Sequence, residues 1–221
     1  MKLKILLILI LCVITLTGCS NSKNDELLKE KTNNNIYYLE TSILNLLNDL
    51  KSSDIDWDDV KVKVEQIYPI WNSLILDMSK LSINDNNILE FSGRLDTVAK
   101  HINEKDRLRS IYSVTNLFEY LPQFVEEYWE DLGLVQMLYA KASIVRSYAL
   151  VEVDDWAGAL EESNKAEQNL LVIMNSININ ENKMYNVEKV YVLLKELQIS
   201  ISEEEKDIFR IKYNNLLREM D

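Results

Sequence analysis

The sequence predicts an all-α protein built as a tandem duplication of a four-helix unit, a helical bundle or short α-solenoid. Three observations predict it. Gly93, Gly133, Gly158, Pro69 and Pro122 are the only glycines and prolines after residue 18, so few points force a helix to break. The apolar residues recur at steps of three and four, the spacing of one helical face, with none of the sustained alternation a strand needs. The helical stripes also return at a fixed offset of 99 residues, as expected of a repeated structural unit.

The N-terminus is a targeting segment. Met1-Lys2-Leu3-Lys4 is a short basic start, and Ile5 to Leu16 is an unbroken apolar run, too short for a stable bilayer-spanning anchor. It ends in Leu16-Thr17-Gly18-Cys19, which resembles the lipobox of bacterial lipoproteins. In that family the cysteine thiol receives diacylglycerol and the chain is cut just before it. The resemblance implies a signal peptide at 1–18 and a lipidated Cys19. The body would then be a cell-envelope lipoprotein held at the extracytoplasmic face of the cell membrane. Two acyl chains anchor well where one is marginal. Cys12 leaves with the signal, so no second cysteine remains for a disulfide, a thiolate metal site or a nucleophile. Ser, Asn and Lys dominate Ser20 to Asn35, with only Leu27-Leu28 apolar. With Cys19 this predicts a flexible tether over 19–35.

The first unit spans 36–121. Its opening stripe is Ile36, Leu39, Ile43, Leu46, Leu50, and a break follows near 51–55. Next comes DIDWDDVKVKVE, whose Asp54, Asp56, Asp58 and Glu65 stand at positions 1, 3, 5 and 12 of an EF-hand calcium loop. The loop's turn glycine is replaced by Asp59, and such a loop needs that glycine. The stripe Trp57, Val60, Val64, Ile67, Trp71, Leu74, Met78 also begins inside it. The stretch therefore reads as a helix start, capped by Asp54 or Asp56, with Asp58 and Asp59 placed where the dipole favours negative charge. After a break near 80–87 the third stripe is Ile88, Phe91, Leu95, Val98, Ile102. Beyond 103–105 the fourth helix is marked by Leu108 and Tyr112.

The second unit spans 122–221. Pro122 either opens it at a helix N1 position or kinks a helix joining the units. At the shared offset the first stripe maps to Val135, Leu138, Ala142, Val145, Ala149. The second maps to Trp156, Ala159, Ser163, Ala166, Leu170, Ile173, Ile177, and the third to Val187, Val190, Leu194, Leu197, Ile201. Breaks fall near 151–154, 178–185 and 200–203. The fourth pair, Leu108 and Tyr112 with Phe209 and Tyr213, aligns only after a slip of two residues. Trp57, Trp71 and Trp156 lie on their stripes and are expected in the core.

Asp56-Trp57 to Trp71, followed by the 88–121 hairpin, resembles a family of small, uncharacterised, membrane-anchored helical bacterial proteins. Their repeat carries Asp-Trp, a small residue three positions on, and a second Trp. This covers one unit; the second has Leu170 in place of the second Trp. What the resemblance implies is helical architecture and an envelope location. The second unit also resembles a tetratricopeptide repeat in the spacing of Ala159 and Ala166, but Ser143 and Ser163 stand where large residues are expected.

Composition narrows the function. The chain carries 24 basic and 36 acidic side chains, a net charge of −12. Loss of Lys2 and Lys4 with the signal deepens this to −14. A body so acidic is repelled by phosphate backbones and anionic lipid headgroups. No nucleic acid is expected, and contact with the membrane runs through the lipid on Cys19. His101 is the only histidine. With Asn103 and Glu104 nearby it spells HxxE, similar to the element of imelysin-type envelope proteins but without its flanking glycine. With one histidine and no body cysteine, no metal, cofactor or catalytic residue is assigned, and an enzyme is not expected. Glu126, Glu127, Tyr128, Trp129, Glu130 and Asp131 form an acidic aromatic patch that the repeat does not impose. It is the candidate ligand or partner surface, unless Trp129 covers the joint between units. The expected function is a helical scaffold or protein-interaction module meeting an envelope protein or the cell wall. The alternative is a binding lipoprotein for a cation or small basic ligand held between the units.

Overall fold

Helix signals in the sequence are matched, with few exceptions, by helices in space. The computed structural model describes the backbone of residues 2–176 and 181–220, and the side chains of 24–176 and 186–220. Among these residues the protein is all-α, in the order α1 (Lys2–Leu50), α2 (Trp57–Lys80), α3 (Asp85–Asn103), α4 (Arg107–Phe118), α5 (Leu121–Glu126), α6 (Leu132–Glu152), α7 (Trp156–Met174), α8 (Glu181–Ser202) and α9 (Lys206–Met220). No helix among the described residues is long and apolar enough to cross a membrane. The lipobox cysteine, Cys19, and the side chains of the signal segment lie outside the described side chains, as does Ile177 of the second stripe.

Short polar caps start the helices. Asp56 accepts from the amides of Asp58 and Asp59 at 3.1 Å, so the calcium-like stretch is an N-cap with two acids in the first turn. Asp155 does the same for α7 through the Gly158 amide at 3.0 Å, and Asp131 caps α6. The turns ending α3 and α8 are alike. Lys105 and Glu204, 99 positions apart, both take φ 55°. In each turn the next amide reaches back five residues, from Asp106 to the His101 carbonyl and from Glu205 to that of Ser200, both at 3.1 Å.

Burial follows the stripes. Every described stripe residue of α1, α3, α6 and α8 is buried. In α2 and α7 only the tryptophans that open the stripes are partly exposed. Trp57 and Trp156 are half-buried because each is the first helical residue at the end of its bundle, and Trp71 alone is enclosed. Ser163 is buried and satisfied, donating to the Leu160 carbonyl at 2.8 Å.

The fourth helix corrects the sequence reading. Leu108 and Tyr112 are exposed, at 45 and 44 %. The buried face is Ser110, Val114 and Leu117, and at the same offset of 99 it meets Phe209, Tyr213 and Leu216, all buried. No slip of two residues exists; a buried serine in the stripe concealed the register.

Neighbouring helices run antiparallel, as cross-helix pairs show: Asp49–Lys63 and Asp77–Lys31 join α1 and α2, and Glu196–Lys212 and Glu219–Lys189 join α9 and α8. Within 36–118, α4 closes back on α1; within 132–220, α9 closes back on α6. Each is thus a ring of four helices. The rings meet through α4 and α6, with α5 wedged between α6 and α1, and one continuous core runs through both. Pro122 lies in the first turn of the short α5, so it neither kinks a long helix nor opens α6.

The expected tether is corrected as well. Residues 24–35 belong to α1, and they dock. Thr32 is fully buried and donates to the Leu28 carbonyl at 2.8 Å. Lys31 pairs with buried Asp77 at 2.8 Å, and Asn33 accepts from the Tyr128 hydroxyl at 2.5 Å. The stripe runs back from Ile36 through a polar residue that satisfies itself, which a search for apolar periodicity does not see.

Candidate functional sites

The acidic aromatic patch is brought together at the link between α5 and α6, but most of its members have structural work. Glu126 accepts from the Tyr139 hydroxyl at 2.5 Å. Glu127 accepts from the Asn84 amide at 2.6 Å and from Asn87 Nδ2 at 2.7 Å, completing the start of α3. Asp131 accepts from the amides of Gly133 and Leu134 at 2.9 and 3.2 Å. Tyr128 is only 7 % exposed, and burial pushes its hydroxyl well above the usual tyrosine range. Trp129 meets it edge to face at 6.3 Å and packs half-buried on the core.

An open cleft of about 560 Å³ remains beside them, lined by Trp129, Glu130 and Asp131 with Asp25, Glu26 and Lys29 of α1. Four carboxylates against one ammonium, next to an indole, make a setting that favours an organic cation. No group of three or more His, Cys, Asp or Glu side chains suited to a metal ion occurs among the described residues. His101 lies in the last turn of α3, with Nδ1 buried and no hydrogen-bond partner among the described residues.

A second cleft, of about 700 Å³, opens between α1 and α9, and nothing in the sequence pointed to it. Lys51 is one of its lining residues, half-buried just past the C-terminus of α1. Its Nζ stands 4.8 Å from the ring centre of Tyr213 and 5.4 Å from that of Tyr148, and donates to Asn214 Oδ1 at 3.0 Å. Tyr213 is fully buried, and its hydroxyl has no hydrogen-bond partner among the described residues. Removal from water lowers the Lys51 amine from the usual 10.5 to about 8. Beside Tyr148, Glu152 bridges Arg107 of α4 and Arg210 of α9, each at 2.8 Å. Burial would raise the Glu152 carboxyl, but the two guanidinium groups outweigh it and hold it below the usual range.

The lowered amine has a stability consequence. In the unfolded chain Lys51 binds its proton more tightly, so folding is penalised at any pH below about 8. The penalty fades as pH climbs from about 8 towards 10.5. Lys51→Met is therefore expected to stabilise the protein at pH 7 by about 1–2 kcal/mol, after allowance for water that still screens the amine. Denaturant titrations of both proteins at pH 7 and pH 10 check this; a gain that does not shrink at pH 10 has another cause.

Comparison with protein-family models, with curated proteins and with solved structures finds no match.

Proposed function

We propose that this protein is a lipid-anchored cell-envelope lipoprotein whose helical body is a scaffold or protein-interaction module. The observation that carries the reading of the body is the filled joint between its two rings. Ala140, Ile144 and Val151 of α6 are fully buried, Glu40 of α1 pairs with Lys141 of α6, and Glu152 joins α4 to α9. A body locked in this way holds a fixed outer surface, the property a docking platform needs. The common offset of the buried stripes and of the Lys105 and Glu204 turns supports descent of the two rings from one duplicated unit. The anchor rests on the order of basic start, apolar run and Leu16-Thr17-Gly18-Cys19.

Cys19→Ser is expected to abolish incorporation of labelled palmitate and to release the protein from the membrane fraction; a variant still labelled and retained refutes the anchor. For the body, crosslinking in cells should capture the same envelope protein or cell-wall material repeatedly from the native chain. Consistently empty captures would count against the scaffold. One observation favours the other reading, a binding lipoprotein for a small basic ligand: the cleft of Trp129 and four carboxylates. Spermidine that quenches native fluorescence, but not that of Trp129→Phe, would select it.

A further inference from the structure

We infer that the cleft between α1 and α9 is a binding site for a small organic carboxylate. The proposal is independent of the scaffold reading and of the lipid anchor. Its first support is the charge arrangement. In a chain of net charge −12, the charged groups lining this cleft are Lys51, Arg218 and Glu40. Glu40 is already paired with Lys141 at 2.6 Å, which leaves the cleft itself positive. Among the described residues Lys51 is held by an amide oxygen and two ring faces, with no carboxylate in hydrogen-bond or ion-pair reach. A half-buried ammonium without a counter-ion gains from an anion brought to it, since the surroundings that penalise it alone strengthen its pairing.

The lining defines the rest of the ligand. Asn45, Asn48 and Asn214 offer amide donors and acceptors beside the apolar side chains of Leu44 and Leu217. That mixture suits a carboxylate attached to an amide-bearing, partly apolar body, and about 700 Å³ is an ordinary size for such a pocket. A monoanion fits better than a phosphate dianion. Lys51 follows the last residue of α1, where the partial negative charge of helix carbonyls opposes further anionic charge. Arg218 leans on Asn215 at 3.2 Å, so it is not poised as a second, bidentate clamp.

Binding should draw a proton onto Lys51 when the pH is near 8. Of its neighbours, the Tyr213 and Tyr148 hydroxyls are pushed up by burial, and Glu152 is held below the usual carboxylate range by two arginines.

The test uses the purified full chain and three probes: N-benzoylglycine, its neutral amide, and inorganic phosphate. N-benzoylglycine is expected to shift the backbone amide resonances of Asn48, Lys51 and Asn214, with a Kd on the order of 1 mM. The neutral amide and the Lys51→Met variant should each bind about tenfold or more weakly. Above pH 8 the affinity of the native chain should fall by up to tenfold per pH unit, an arm that needs no variant to fold. No shift at those amides up to about 10 mM N-benzoylglycine overturns the site. So does equal binding of the neutral amide, or an affinity independent of pH across 7–9.5. Phosphate binding more tightly than N-benzoylglycine overturns the carboxylate assignment.

Discussion

Lys141→Met is expected to lower the stability of the protein at pH 7 by about 3–5 kcal/mol, and the double variant Glu40→Leu/Lys141→Met to recover most of that loss. The ion pair spans 2.6 Å between α1 and α6, and its side chains are 6 and 8 % exposed. Removing the ammonium leaves a carboxylate that is only 8 % exposed, on the wall of the α1–α9 cleft, where little of its lost hydration is restored. Removing both charges eliminates the desolvation cost together with the attraction. The contrast is Lys63, which reaches Asp49 and Asp59 at 2.6 and 2.8 Å from a solvated face; Lys63→Met should cost no more than about 1 kcal/mol. Chemical denaturation of the four proteins gives all the differences. A Lys141→Met loss below about 1 kcal/mol would mean that water reaches the pair, and the filled joint would lose its main support.

That pair also shows where sequence reading stops. The stripe positions from Ile36 to Leu50 and from Val135 to Ala149 were legible because each helix buries apolar residues on its own period. Glu40 and Lys141 lie beside those stripes and look like solvated charges. Only the meeting of α1 and α6, about a hundred residues apart in sequence, buries them. Lys51 was hidden for the same reason, since its ring partners come from α6 and α9. Thr32 and Ser110 failed differently. Both are fully buried in stripe positions, and a rule that counts apolar residues passes over a hydroxyl. Tyr128 and Trp129 were found because aromatic residues amid four acids are unusual in sequence, but composition did not foretell that Glu127 would complete the start of α3 or that Tyr128 would be spent on Asn33.

Trp71→Ala is expected to cost about 3–5 kcal/mol and to lower the Tm by roughly 6–20 °C. The indole is 2 % exposed, its centroid lies 4.1 Å from Phe91 and 5.6 Å from Phe124, and Nε1 donates to Ser92 Oγ at 2.9 Å. It therefore ties α2 to α3 and to α5. Loss of the ring opens a cavity that two phenylalanines cannot fill and leaves Ser92 without its donor. The equivalent position of the second ring carries Leu170, fully buried, so register alone suggests that leucine would serve. It should not. The second ring places its aromatic cluster elsewhere: Tyr148, Phe209 and Tyr213 lie with centroids 4.9 to 6.2 Å apart between α6 and α9, where the first ring has Asp49, Ser110 and Val114. The two rings share a helical register but distribute their bulk to opposite sides. Trp71→Leu should accordingly lose about 2–4 kcal/mol, while Leu170→Trp, forced into a site filled by a smaller residue, should lose about 1–3 kcal/mol by overpacking. Equal stability of Trp71→Leu and the native chain would show that the first ring repacks as the second does. The aromatic asymmetry would then be incidental to the core, leaving the tyrosines beneath Lys51 as its main consequence.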